Sequence, residues 1–191
     1  MSRFREERRA IIFAGGPGSG KSYYARIFAN EHWKIANPDP LFEQFLRDIG
    51  VDPKSLPHLS AGDFYLLTEA PDSPRKIAKR LMKQRVLRWE REGKNIVYDG
   101  TGDEYHKVEK RKQRLEDRGY EVDMVFIYTP LEQALRQNRQ RSRVLPDAMV
   151  KDMWQKVQEN LPYYRELFGP DYFHYIQNVA LQSGANSRPH R

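Results

Sequence analysis

The sequence predicts an α/β fold in which a central parallel sheet of about five strands is flanked by helices. Three observations support this prediction. Short apolar segments alternate along the chain with longer segments of helical periodicity. Glycines and prolines separate these segments and mark the turns between them. A glycine-rich turn leads from the first apolar segment directly into a helical one, so strand, loop and helix follow one another, as parallel strands with crossover helices require.

The first elements follow from hydrophobic periodicity and turn residues. An apolar run at 10–14 ends at glycines, which is typical of a buried strand. Residues from about 20 to 30 place apolar side chains on one face of a helix. A second short strand is predicted at 33–37. The prolines of the Asn-Pro-Asp-Pro segment that follows end regular structure before a helix predicted at 41–49.

Prolines interrupt the pattern in the next stretch, from about 50 to 73, which is predicted to be an insertion of loops and a short helix. Ser73 as the N-cap and Pro74 in the first turn start a helix that keeps its apolar period until Gly93. A buried strand is predicted at 95–99, where apolar residues end at an aspartate.

The remaining elements continue the alternation of helix and strand. They are a charged helix ending at 119, a strand at 122–128, a helix from 130 to about 138, a long helix at 146–168 and a strand at 172–176. The chain is long enough for one domain, which we place at 1–182. The tail at 183–191 has no apolar residue beyond Ala185 and is predicted to be disordered.

Composition restricts the class of protein. No stretch approaches the roughly 18 apolar residues of a membrane span, and charges occupy the N-terminus where a signal peptide would be apolar. The chain has no cysteine, which excludes disulfides and thiolate zinc sites. We expect a soluble, cytoplasmic protein with no membrane partner. The sequence does not indicate an oligomeric state.

The net charge of +7 is unevenly distributed. Residues 75–118 contain 15 Lys and Arg against 8 Asp and Glu, whereas the remainder contains 18 of each. Such a local excess favours a polyanion partner such as nucleic acid, because binding would release counterions from a phosphate backbone. Two solvated helical faces rich in Lys and Arg explain the same excess equally well.

The clearest functional signal is the octapeptide GGPGSGKS at 15–22, which matches the phosphate-binding pattern G-x-x-x-x-G-K-[ST] between a strand and a helix. In this pattern Lys21 reaches the β and γ phosphates of ATP, and the hydroxyl of Ser22 binds Mg²⁺. Backbone N–H groups converge on the phosphates, and the residues expected to supply this cradle are Gly16, Gly18, Ser19 and Gly20.

Two carboxylates follow predicted strands, at the edge where a parallel sheet collects its functional groups. Asp39 comes after the second strand and is our candidate general base, which would take the proton of an acceptor hydroxyl. Asp99 closes the third strand and is expected to hold a metal-bound water or to orient the substrate. A turn-forming or capping role remains open for each aspartate.

Several arginines lie near the end of the sixth predicted helix and before Pro146, namely Arg136, Arg139, Arg141 and Arg143. Guanidinium groups suit phosphate oxygens, and a cationic lid can neutralise the transferring group while excluding water. We therefore expect an arginine-rich lid at about 136–146, with at least one functional arginine.

With these residues identified, the chain resembles the kinase domain of phage polynucleotide kinases and, more distantly, the zeta-toxin group of P-loop kinases. The similarity covers most of residues 10–169. It includes the GGPGSGKS loop, the turn Asn37-Pro38-Asp39, the strand end Asp99-Gly100-Thr101, the run Asn138-Arg139-Gln140-Arg141 and the Val-Leu-Pro at 144–146.

The resemblance implies a P-loop kinase fold and a role for each matched residue. Asp39 would be the general base, and Asp99 would organise the acceptor. Arg141 would be the lid arginine that contacts the nucleotide phosphates, with Arg139 as the alternate. A phage-encoded enzyme would act in the host cytoplasm. The chain departs from polynucleotide kinases at Phe42, where they carry an arginine for the acceptor's phosphate or the transferred group. Aromatic residues of the insertion could supply a different acceptor pocket or pack in the core.

Three functions are consistent with the sequence. The first is a kinase that transfers the γ phosphate of ATP to a hydroxyl of a nucleic acid or nucleotide, either at a chain end or on a hydroxymethyl group of a DNA base. The second is a kinase of a nucleotide sugar or a small metabolite, as in zeta-like toxins. The third is a nucleotide-dependent switch that transfers nothing.

Overall fold

The computed structural model describes residues 8–27 and 32–179, which form a parallel five-stranded sheet in the order β2-β3-β1-β4-β5. The strands are β1 (Arg8–Ala14), β2 (Trp33–Ala36), β3 (Asn95–Asp99), β4 (Tyr120–Tyr128) and β5 (Phe173–Gln177). Parallel pairing aligns Phe13 of β1 with Asp99 of β3 and with Val125 of β4. The glycine-rich loop after β1 therefore leaves the sheet between the ends of two neighbouring strands.

The helices connect these strands on both faces of the sheet. They are α1 (Lys21–Ile27), α2 (Asp39–Asp48), α3 (Ala61–Thr68), α4 (Pro74–Arg91), α5 (Tyr105–Glu116), α6 (Leu131–Arg139) and α7 (Asp147–Tyr172), with a short 3₁₀ helix at Pro53–His58 between α2 and α3. In the described residues, no helix combines the length and apolar composition needed to cross a membrane.

Strand β1 lies in the middle of the sheet, and both of its faces are buried. Ile12 and its even-numbered neighbours pack with side chains of α4, α5 and α7, whereas Ile11 and Phe13 pack with Ala25 of α1 on the opposite face. This two-sided burial explains the continuous apolar run, since a strand covered on both faces does not alternate with polar residues. The predicted fold class, a parallel sheet flanked by helices, is confirmed.

The structure adjusts several predicted boundaries for physical reasons. Helix α2 begins at Asp39 rather than at 41, because Pro40 lies in the first turn, where no backbone hydrogen bond is lost. The insertion folds as the 3₁₀ helix and α3, and its Leu56 is buried with Phe42 of α2. The long helix α7 has a break at Gly169, whose φ is 70°, next to the predicted end at 168. The tail at 183–191 lies outside the described residues.

A buried carboxylate joins α4 to the sheet and α5. Glu90, whose side chain is 1% exposed, accepts hydrogen bonds from the Tyr98 hydroxyl at 2.8 Å, Arg114 at 2.9 Å and Arg118 at 2.7 Å. A buried carboxylate is tolerated when its oxygens are paired in this way. Burial and the neighbouring Glu90 raise the pKa of Tyr98 above its usual range, so its hydroxyl stays protonated and donates.

Candidate functional site

The candidate site lies at the carboxyl-terminal edge of the sheet. The loop at 15–20 follows β1, Asp99 ends β3, and Asp39 follows β2 after two intervening residues. Because β2, β3 and β1 are adjacent and parallel, the ends of all three strands meet at this edge. The fold thus brings together the loop and the two carboxylates that the sequence analysis selected.

The conformation of the loop depends on its glycines. Gly18 has a φ of 78°, and a Cβ there would lie 2.2 Å from the carbonyl oxygen of Ala134 in α6. No side chain fits that approach, and the backbone conformation disfavours L-residues in any case. A Cβ at Gly16 would lie 3.2 Å from the ring of Trp154 in α7. Helices α6 and α7 therefore pack directly against the loop.

Polar residues that directly follow β4 and β5 form hydrogen bonds with the loop. The side-chain amide of Asn178 donates to the Ser19 carbonyl at 2.9 Å, and the Thr129 hydroxyl donates to the Asn178 carbonyl at 3.2 Å. Trp154 donates its indole N–H to the Thr129 carbonyl at 2.8 Å. Sequence patterns alone give only a modest signal for these residues, namely that Thr129 and Asn178 each follow the last residue of a strand directly.

Lys21 begins α1 and turns its ammonium back over the loop. It donates to the carbonyls of Gly15 at 2.5 Å and Gly16 at 2.9 Å, and to the Ser19 hydroxyl at 3.3 Å. Burial lowers the pKa of Lys21 to about 8; Arg141 also lowers it, and Asp99 and Asp39 partly oppose both. The ammonium is thus a destabilised cation that an incoming phosphate would stabilise.

A chain of hydrogen bonds connects the loop to the candidate base. The Ser22 hydroxyl donates to Oδ2 of Asp99 at 2.9 Å, and the Asn37 amide donates to the same oxygen at 2.8 Å. The carbonyl oxygen of the Asn37 side chain accepts from the backbone N–H of Asp39 at 2.8 Å. Asn37 therefore fixes the first turn of α2 relative to Asp99. Its role was not assigned from the sequence, although it belongs to the quoted turn.

Two arginines from the loop between α6 and α7 pair with Asp39. Arg143 donates to Oδ2 of Asp39, and Arg141 lies 3.7 Å from the same oxygen. Burial by itself would raise the pKa of the Asp39 carboxyl, but Arg143 and then Arg141 outweigh burial and hold it below its usual range. Asp39 is therefore ionised at neutral pH.

The other lid arginine with an expected binding role lies elsewhere. Arg139 forms an ion pair with Asp147 at 2.5 Å, and its side chain is 63% exposed. Arg141 and Arg139 are the two candidates for phosphate binding. In the structure, Arg141 lies near Asp39 and Lys21, whereas Arg139 lies at the start of α7. Opening and closing of this segment as a lid stays a prediction.

Magnesium ligands were expected at Ser22, and the donor set is compatible with that ion. Mg²⁺ prefers oxygen ligands and is held in such sites by one or two protein groups plus substrate phosphates and water. The Ser22 hydroxyl and the Asp99 carboxylate supply oxygens 2.9 Å apart at the loop. The phosphates of a bound nucleotide would supply further oxygen ligands. Within the described residues, no group of three or more His, Cys, Asp or Glu side chains is arranged to hold a metal.

Comparison with known proteins finds one partial match to a family model and several solved structures of similar fold. The family model described as Zeta toxin matches residues 71–165. That segment contains α4, Asp99 and Arg141 but not the glycine-rich loop. No curated protein sequence matches the chain significantly.

Solved structures share the fold at low sequence identity. A chain from the PezAT chromosomal toxin-antitoxin system of Streptococcus pneumoniae has a TM-score of 0.61 and 20% identity, covering 93% of this chain and 70% of that one. A candidate kinase from Chloroflexus aurantiacus has a TM-score of 0.58 and 12% identity, covering 92% and 90%. A chain of the Pnkp1/Rnl/Hen1 RNA repair complex has a TM-score of 0.56 and 15% identity, covering 85% and 49%. The present chain thus spans about half of the RNA repair protein, and these similarities concern the fold.

Proposed function

We propose that this protein is an ATP-dependent phosphotransferase that moves the γ phosphate to a hydroxyl group of a nucleic acid or nucleotide. The observation that carries the proposal is the convergence of Lys21, Ser22 and the Asp99 and Asp39 carboxylates at one edge of the sheet. A phosphate-binding loop alone indicates only a nucleotide. A second carboxylate held beside the loop through Asn37 and Asp99 adds a group that accepts a proton.

The nucleotide would be bound by the loop and by Lys21 and Ser22, the two residues that follow it. Backbone N–H groups of Gly16, Gly18, Ser19 and Gly20 would enclose the phosphates, and the ammonium of Lys21 would move from the loop carbonyls to the β and γ phosphates. Ser22 and Asp99 would hold Mg²⁺, which supplies positive charge that neutralises the triphosphate. Arg141 would contact the transferring group.

In the proposed reaction the acceptor oxygen forms a bond to the γ phosphorus while the bond from that phosphorus to the β–γ bridging oxygen breaks. The hydroxyl proton passes to the Asp39 carboxylate, and ADP leaves. A carboxylate with a lowered pKa is a weak base. The transition state of phosphoryl transfer is loose, so the position of the hydroxyl contributes more than the strength of the base.

The charge distribution supports a phosphate-bearing acceptor such as nucleic acid. Helix α4 begins close to α2, and Arg75 in its first turn acts electrostatically on Asp39. Further along α4, the exposed basic residues include Lys79, Arg80, Lys83, Arg85 and Arg88. A polyanion bound along this helix would release counterions. In the insertion, Tyr65 on α3 is 53% exposed and available for stacking on a base.

A second candidate is a kinase of a nucleotide sugar, as in zeta-like toxins. The specific observation in its favour is the match of the Zeta toxin model to residues 71–165. A nucleotide sugar also carries phosphates, and the basic start of α4 would bind them. The two candidates differ in whether the remainder of α4 contributes to substrate binding.

The test is transfer of labelled γ phosphate from ATP to a panel of acceptors, namely DNA and RNA ends, DNA with hydroxymethylated bases, nucleosides, nucleotides and nucleotide sugars. We expect a nucleic acid or nucleotide to be labelled, and labelling to be lost in Asp39→Asn and Lys21→Ala. The matched control is Asp48→Asn, the same change at the exposed end of α2, which should leave transfer intact. Transfer to a nucleotide sugar alone would select the second candidate, and transfer to none of these acceptors would reject the proposal.

A further inference from the structure

Arg143 is the most deeply buried of the arginines near the site. It is 5% exposed, and its guanidinium lies over the ring of Phe42 with 5.7 Å between the guanidinium carbon and the ring centroid. Its Nη2 pairs with Oδ2 of Asp39, while its buried Nε has no hydrogen-bond partner among the described residues. A buried cation needs an anion, and Asp39 supplies it.

Hydrogen bonds on both sides of Arg143 fix the backbone that carries it. Asn138, which is fully buried at the end of α6, donates to the Leu145 carbonyl at 2.8 Å and accepts from the Leu145 N–H at 3.2 Å. These two hydrogen bonds close the loop that contains Arg143 at its base. Ser142 adds a third contact by donating to Glu43 of α2 at 2.9 Å. The backbone of Arg143 is therefore held beside α2, where its side chain meets Asp39 and Phe42.

The two arginines beside Asp39 therefore differ in freedom. The side chain of Arg141 is 31% exposed and 3.7 Å from Asp39, whereas that of Arg143 is 5% exposed. Arg141 can turn toward a bound phosphate, and Arg143 stays with the carboxylate. The other charged groups that act on Asp39 are Arg75 from α4 and Lys21 from α1.

We propose that Arg143 is the positioning residue of the Asp39 base: it holds Oδ2 of the carboxylate in place, and so directs Oδ1 to the acceptor hydroxyl. This inference rests on the proposed function, because it gives Asp39 the role of base. It also explains Phe42, whose ring supports the Arg143 guanidinium from the α2 side. Arg143 acts through Asp39 and touches neither nucleotide nor acceptor.

The first test measures Asp39 directly and needs no acceptor. In protein labelled with ¹³C at the aspartate carboxyls, with Asp39 assigned by Asp39→Asn, Arg143→Met should raise the titration midpoint of Asp39 by about one pH unit or more. Arg143→Lys, which keeps a cation, should raise it less, and it provides the test should the Met variant fail to fold. The control is Arg47→Met, which removes an exposed arginine of α2 that pairs with Glu43. A midpoint in Arg143→Lys and Arg143→Met that equals the wild-type value would overturn the inference.

The second test measures transfer to a DNA oligonucleotide with a 5′ hydroxyl. Arg143→Met should lower kcat about tenfold or more with little change in KM for ATP, and the acid limb of its pH–rate profile should move upward. A rise in KM for ATP with kcat unchanged would assign Arg143 to nucleotide binding and overturn the inference. If the Asp39 midpoint moves but the wild-type protein labels no acceptor of the panel described above, the coupling of Arg143 to Asp39 stands and the proposed function fails.

Discussion

Binding of a nucleotide phosphate should drive proton uptake by Lys21 above neutral pH. Burial lowers the pKa of this ammonium to about 8 in the free protein. A phosphate beside it favours the charged form and raises the pKa again. Binding therefore requires a protonated Lys21. Protein molecules in which Lys21 is neutral must take up one proton when the nucleotide binds.

The magnitude follows from that pKa. In the free protein, about a tenth of the Lys21 side chains are neutral at pH 7, about half at pH 8 and about nine tenths at pH 9. Uptake of protons per bound ADP should follow these fractions. The affinity for ADP should fall about tenfold between pH 7 and pH 9, which corresponds to about 1.4 kcal/mol.

Isothermal titration calorimetry of ADP in buffers with different ionisation enthalpies measures this uptake. The control is Lys21→Arg, which keeps the positive charge and every other titrating group but does not lose a proton in this range. We expect pH-dependent uptake in the wild-type protein and none assignable to position 21 in the variant. Equal proton uptake in both proteins at pH 9, or wild-type affinity independent of pH from 7 to 9, would refute the assignment of Lys21 as a buried phosphate-binding cation.

Two further predictions concern the loop and the buried carboxylate. Gly18→Ala and Gly50→Ala both place alanine at a φ near 80°, which costs about 1–2 kcal/mol, but a Cβ at Gly50 has no atom within 4 Å. Thermal unfolding should therefore show a larger loss for Gly18→Ala, together with lost ADP binding, and equal losses would contradict the packing of α6 on the loop. Glu90→Ala should lower the free energy of unfolding in urea by about 3 kcal/mol, the lower end for a broken buried pair, because Arg114 and Arg118 are partly exposed and become hydrated. Glu92→Ala, which removes only the exposed ion pair with Arg88 at 3.8 Å, should lower the free energy of unfolding by less than about 1 kcal/mol. A similar loss of this free energy in both variants would contradict a stabilising role of the Glu90 cluster.

The architecture could be predicted because its signals are local. Most strands contain an apolar run bounded by turn residues, and most helices have a cap or a terminal proline, as with Ser73 and Pro74 at the start of α4. The order of the strands follows less directly from the sequence, but the position of a glycine-rich loop after a buried strand already places it at the functional edge. Positions at this edge of the sheet identify the candidate site residues Lys21, Ser22, Asp39 and Asp99 from the sequence.

The partners of these residues could not be predicted, because they come from distant parts of the chain. Arg143 lies 104 positions from Asp39, and no local pattern distinguishes it from Arg139 or Arg141. The distinction arises when the Asn138 hydrogen bonds close the loop and turn Arg143 inward over Phe42. In the sequence, Phe42 stands where the resemblance to polynucleotide kinases predicts an arginine. In the structure, the ring of Phe42 packs against the guanidinium of Arg143, which comes from a distant segment of the chain.

A crystal structure with a nonhydrolysable ATP analogue and Mg²⁺ would show whether the loop and Asp39 act on the same phosphate. We expect the β and γ phosphates within hydrogen-bond distance of the Lys21 ammonium, the metal ion beside the Ser22 hydroxyl, and the Asp39 carboxylate facing the γ phosphate while still paired with Arg143. A nucleotide bound away from residues 15–22, or an Asp39 carboxylate turned away from the terminal phosphate, would contradict it.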